Sequence, residues 1–149
     1  MKISMRKNYT NILGFTMIMA FLMLVAPACK KDVASAELEL TYKMLSDKRW
    51  FLDYTQTITG STVTQRTYVG QASYFISFYS NRTTVDSDGI RGTYSVTNTN
   101  GQLGIKVVGT TPSNSAVEYS YKAESIGTST LVLSNVVGST TTKYYYTAQ

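Results

Sequence analysis

The side chains able to do chemistry in this 149-residue chain are few in kind: there is no histidine, one cysteine at position 29, and twelve tyrosines. Without an imidazole, a Ser-His dyad, a Cys-His pair and a histidine-ligated metal site are ruled out. Beyond the first 28 residues no serine stands three positions before a lysine, so the Ser-x-x-Lys pattern of penicillin-binding enzymes is missing there too. Carboxylate pairs are the remaining acid–base chemistry. Asp53, Glu118 and Glu124 fall on the outward parity of their segments, where water solvates a carboxylate and leaves it no unusual reactivity. Asp86-Ser87-Asp88-Gly89 has the opening spacing of a calcium loop, but the further ligands and the closing Glu are missing, so a hairpin turn explains it better. No enzyme, metal or cofactor is expected. Cys29 and the tyrosines remain.

Cys29 sits where a modified cysteine would sit. Lys2, Arg6 and Lys7 precede an apolar run from Ile12 to Ala26, and small residues then lead to the cysteine. The run is shorter than the roughly 20 residues a membrane-spanning helix needs, and Gly14, Thr16 and Pro27 weaken it further. Ala26-Pro27-Ala28-Cys29 resembles the lipobox of bacterial lipoproteins, although the commonest form has Leu in place of Ala26. That resemblance implies removal of residues 1–28 as a lipoprotein signal peptide and acylation of Cys29. A buried free thiol is the competing reading, and Lys30-Lys31-Asp32 beside it speak against burial. Each buried methylene of an acyl chain contributes about 0.8 kcal/mol, so several chains anchor a protein that does not span. Residues 29–35 then form a tether of at most about 25 Å, and 36–149 a single domain. In such an exported bacterial protein the sequon Asn81-Arg82-Thr83 carries no meaning.

Net charge is +5 for the whole chain, three of it from the leader; the remainder has 11 basic and 9 acidic residues. The lysines after Cys29 are interleaved with Asp32, Glu37, Glu39 and Asp47, which describes a mixed solvated surface and no nucleic-acid partner.

The elements that would position the tyrosines are legible from periodicity. Leu38, Tyr42 and Leu45 at i, i+4, i+7 predict one short helix before Arg49. From Trp50 onward, alternating apolar and polar residues rich in Thr and Tyr predict antiparallel strands. They fall near Trp50–Thr59, Thr62–Val69, Ala72–Tyr79, Thr83–Asp86, Ile90–Thr97, Leu103–Val108, Ala116–Ser125, Thr130–Leu133 and Thr140–Thr147. Short breaks such as Gly60-Ser61, Gly70-Gln71, Asn81-Arg82 and Gly138-Ser139 separate them. With no helical crossover between strands, the expected fold is all-β: an up-and-down antiparallel meander of about eight or nine strands closing into a small barrel.

Parity assigns the interior. Val117, Tyr119, Tyr121 and Ala123 alternate with Glu118, Ser120, Lys122 and Glu124, so the first set faces in. The same reasoning places Trp50, Leu52, Tyr54, Tyr74, Ile76, Phe78, Tyr94, Val96, Leu103, Ile105, Val107, Leu131, Leu133, Tyr144 and Tyr146 inside, while the second strand shows no decisive parity.

Trp50-Phe51-Leu52, Ile76-Ser77-Phe78, the run from Arg91 to Val96, the run from Thr130 to Ser134 and Lys143-Tyr144-Tyr145-Tyr146-Thr147 resemble lipocalin-like lipoprotein domains of Bacteroidota. Asn81-Arg82 departs from the family, which often has Asp or Asn followed by Gly there. The resemblance implies a compact barrel on a lipid anchor in the cell envelope, with the outer membrane as its expected location, and it fixes no ligand and no catalytic residue. Two readings of function stay open. In one, Tyr54, Tyr94, Tyr119, Tyr121 and Tyr144 line a site for a small apolar, aromatic or sugar-like ligand. In the other, the barrel is filled by its own side chains and the outer face meets another envelope protein.

Overall fold

The computed structural model describes residues 35–68 and 73–149. Residues 1–28 (the expected signal peptide), Cys29 and nearly all of the expected tether lie outside those residues. Leu38–Gln149 forms one compact unit.

A helix, α1, covers 35–45. Nine strands follow: β1 Lys48–Thr59, β2 Thr62–Thr67, β3 Phe75–Phe78, β4 Thr83–Asp86, β5 Arg91–Thr99, β6 Gln102–Thr110, β7 Ala116–Ile126, β8 Thr130–Val137 and β9 Thr140–Ala148. All pairings between strands are antiparallel, and β9 returns to pair with β1 from Trp50 to Thr59, which closes the sheet. The closed ring has eight members, β1 and β3 to β9. Closure removes the two long edges that an open meander would expose.

One expected reversal is replaced by something simpler. Gly70-Gln71 reads as a hairpin break, yet β2 and β3 both pair antiparallel with the same strand: β2 beside Tyr54–Thr59 and β3 beside Lys48–Phe51. They therefore run in one direction, as two halves of a single wall strand. The meander keeps its up-and-down alternation because β2 and β3 together count as one strand of the wall.

The turns follow side-chain chemistry. Asn100 (φ 54°) and Gly101 (φ 79°) both adopt the left-handed conformation in the two-residue hairpin between Thr99 and Gln102, the signature of a type I′ turn. At the departure noted above, Arg82 takes φ 65° without a glycine. Asn81 supports it by accepting bonds from the Thr83 backbone N–H and hydroxyl, and the Arg82 guanidinium lies 4.2 Å from the Tyr42 ring centre. A local Asx bond and a cation–π contact thus hold a conformation that a β-carbon ordinarily disfavours.

The core fills the end of the barrel against which α1 packs. Leu45, Trp50, Phe78, Ile105, Leu131 and Leu133 are almost wholly buried there, with Leu38 and Tyr42 of the helix against them. The Trp50 indole N–H donates to the Leu45 carbonyl at 3.0 Å. Among the described residues no strand pairs β5 beyond Thr93 on its β4 side, and the Tyr42 hydroxyl accepts the Val96 N–H at 2.8 Å. A helical side chain thus satisfies backbone that a longer β4 would otherwise serve.

Candidate functional site

Among the described residues, the side chains at the opposite end of the barrel do not fill it. There the side chains of Leu52, Tyr74, Ile76, Tyr119, Tyr121, Tyr144 and Tyr146, together with Phe75 and the turn residues Asp86, Ser87 and Asp88, line a pocket of ≈ 220 Å³. Apart from Phe75, which has the parity opposite to Tyr74 and Ile76, each lining residue is one that parity or turn chemistry places: β7 sends in Tyr119 and Tyr121, β9 sends in Tyr144 and Tyr146, and the β4–β5 turn lays Asp86, Ser87 and Asp88 across the rim.

The tyrosines contact one another in order. Tyr119 and Tyr121 stack with ring centres 6.2 Å apart, Tyr121 meets Tyr144 edge-on at 5.8 Å, and Tyr144 stacks with Tyr146 at 6.5 Å. Tyr68 and Tyr74 form a further tilted pair at 4.7 Å. None of the hydroxyls of Tyr119, Tyr121, Tyr144 and Tyr146 is hydrogen-bonded to another of the described residues. Burial pushes the Tyr121, Tyr144 and Tyr146 phenols above their ordinary range, and the charge of Asp86 adds to the rise at Tyr121 and Tyr146.

Asp86 also organises the turn. Its Oδ1 accepts the backbone N–H groups of Asp88 at 2.9 Å and Ile90 at 3.0 Å, and Gly89 takes φ 78°. The hairpin-turn reading of Asp86-Ser87-Asp88-Gly89 holds in this geometry. Burial raises the Asp86 carboxyl above its ordinary value; the Ile90 N–H opposes that rise and the nearby Asp88 charge adds to it. Among the described residues no group of three or more acidic or cysteine side chains is placed to hold a metal ion.

Of the five tyrosines expected to share a site, Tyr119, Tyr121 and Tyr144 do. Tyr54 does not. The register slips between Leu52 and Tyr54, so Leu52 pairs with Tyr146 while Tyr54 pairs with Tyr145. The bulge at Asp53 reverses the alternation, and Tyr54 stacks on Tyr145, ring centres 4.2 Å apart, on the face opposite to Tyr144 and Tyr146. Tyr94 faces inward as expected but at the filled end: it is buried, its hydroxyl donates to the Tyr79 carbonyl at 3.1 Å, and it lies 3.2 Å from the Ser46 hydroxyl. Tyr74 and Tyr146 join the pocket from among the residues given inward parity. Asp86 and Asp88 were legible only as a turn. The signal that would have found them is topological: a turn ending two short inward-facing strands must sit at the barrel's rim.

No family model, curated protein or solved structure matches this chain.

Proposed function

We propose that this chain is a lipid-anchored protein of the bacterial cell envelope, acylated at Cys29, whose lipocalin-like barrel binds a small molecule without transforming it. The observation that supports binding is the pocket at the unfilled end, where four inward tyrosines keep hydroxyls unengaged by described residues. Aromatic faces with free hydroxyls suit an apolar, aromatic or sugar-like ligand. The anchor rests on the leader and the unique cysteine at its end.

Two measurements test the two halves. Cys29→Ser is expected to leave an uncleaved or unanchored form on membrane fractionation, and mature protein still in the membrane would overturn the anchor. For binding, a screen of aryl glycosides, neutral aromatics and aromatic amines is expected to return at least one ligand whose affinity falls in Tyr121→Ala and Tyr119→Ala. Folded variants that bind it like the parent would show that the pocket is not the site.

One observation favours a protein partner as the second reading. On the outer face, Val63, Ile58, Thr141 and Val136 pair in sequence across β2, β1, β9 and β8. Val63 and Val136 in that row are 57% and 66% exposed. An apolar row on an outer face is the kind of surface that meets another protein. Under this reading Val136→Lys disrupts co-purification of an envelope protein and leaves the pocket untouched.

A further inference from the structure

We propose that the pocket selects an organic cation, an ammonium group on a small aromatic or apolar body, with the charge toward Asp86 and Asp88 and the body against Tyr119, Tyr121 and Tyr144. This rests on the binding reading above and narrows it to one ligand chemistry.

Charge gives the first argument. Among the described residues, two carboxylates line the pocket and no lysine or arginine does. The ion pairs among the described residues are Lys106 with Glu118 and Lys122 with Glu124, both on the outward parity of β6 and β7 and neither involving the rim aspartates. Asp86 spends one oxygen on the turn, accepting two backbone N–H groups through Oδ1. Its second oxygen is left for a ligand. A carboxylate or phosphate ligand would meet uncompensated negative charge, whereas a cation would supply the missing partner.

The rings give the second argument. The negative face of a tyrosine ring attracts a cation, more strongly the less water lies between them; Tyr121 and Tyr146 are the more buried rings here, while Tyr119 at the mouth is 36% exposed. Here the rings and the aspartates share one recess, and the charge of Asp86 is felt at the phenols of Tyr121 and Tyr146. A volume of ≈ 220 Å³ is below the roughly 300–1,000 Å³ of pockets for drug-sized ligands. The expected ligand is therefore a compact one, an aromatic amine or a short quaternary ammonium.

The test uses the full chain in a neutral polyoxyethylene detergent, with three probes of matched shape and different charge: benzyltrimethylammonium, neopentylbenzene and phenylacetate. Methyl glucoside is the fourth. Binding is followed by titration calorimetry and by the NMR shifts of the tyrosine ring protons. Benzyltrimethylammonium is expected to shift the rings of Tyr119, Tyr121 and Tyr144 and to bind about tenfold or more tighter than neopentylbenzene, with phenylacetate weakest. Asp86→Asn keeps an Oδ1 for the turn but removes the charge and puts an amide NH2 in place of the second oxygen, so it is expected to weaken the cation about tenfold while leaving neopentylbenzene unchanged; Asp88→Asn is the second such variant. Equal affinity for the cation and its neutral match, or full cation affinity in both folded Asn variants, overturns the proposal. Ring shifts with methyl glucoside or neopentylbenzene but not with the cation would overturn it and leave the binding reading standing. No ring shift with any probe removes both.

Discussion

Tyr94 and Tyr121 are the same residue on inward-facing positions of one barrel, and their surroundings give them opposite duties. Tyr94 is locked among Tyr42, Phe78, Ser46 and the Tyr79 carbonyl, so its hydroxyl is structural. Replacing it with Phe is expected to cost about 1–2 kcal/mol in urea unfolding, because the partners it leaves are partly buried. Tyr121→Phe removes a hydroxyl with no described partner and is expected to change stability by less than about 0.5 kcal/mol. If Tyr121→Phe proves the more damaging, the hydroxyl is engaged in the fold and the pocket reading suffers. Trp50→Ala, by contrast, empties a fully buried site and orphans the Leu45 carbonyl; about 3–5 kcal/mol is the expected loss.

At the scale of strands, much was readable because period 2 is a strict constraint wherever one face is buried. On β7, charged residues at Glu118 and Lys122 leave only one face for the apolar set, and the structure pairs Tyr121 with Ile105 and Tyr119 with Val107 on that face. On β1 the same rule holds for Trp50 and Leu52 and then fails at Tyr54, because nothing in Leu52-Asp53-Tyr54 announces that Asp53 will be accommodated as a bulge. A bulge is fixed by the partner strand: Tyr145 must meet Tyr54 for β9 to close the ring. The continuity of β2 and β3 was hidden for a related reason, since Gly70-Gln71 has turn chemistry and only the shared pairing with β1 shows that the direction is kept. The close approach of β5 and β6 is also invisible in sequence. Gly92 faces Gly109 in register, and a β-carbon on Gly92 would overlap the Val108 carbonyl oxygen and the Gly109 Cα. Neither glycine has a positive φ, so proximity and not backbone conformation requires them. Gly92→Ala is expected to destabilise by about 1–3 kcal/mol by overpacking, read as a lower urea midpoint with an unchanged slope. A stability equal to the parent would show that the two strands can separate at no cost.

For the molecule as a whole, the tyrosines make stability depend on alkaline pH. Burial is the first cause of the raised phenols of Tyr94, Tyr121, Tyr144 and Tyr146. In the unfolded chain each titrates near its ordinary value of 10.0, so above that pH the unfolded state loses protons that the folded state keeps. The unfolded state is then favoured increasingly, at up to about 1.4 kcal/mol per pH unit for each phenol still protonated in the fold. The stability these groups provide is therefore complete below pH 10 and is lost as pH rises toward their folded values. Exposed pairs such as Lys106 with Glu118 contribute little to this window. Asp86 acts at the other end with its own sign: its folded carboxyl is raised above 3.8, so protonation on acidification favours the folded form. Urea unfolding at intervals from pH 7 to 11, with tyrosinate absorbance recorded in parallel, is expected to give a level stability up to about pH 9.5 and a steep fall beyond it. Absorbance from Tyr121, Tyr144 and Tyr146 should appear together with unfolding, and Tyr146→Phe should make the fall shallower by about one proton's worth. A stability that stays level through pH 11, or tyrosinate forming fully in the folded protein, would mean that the unfilled end of the barrel is wetter than its rings imply, and would weaken the cation pocket along with it.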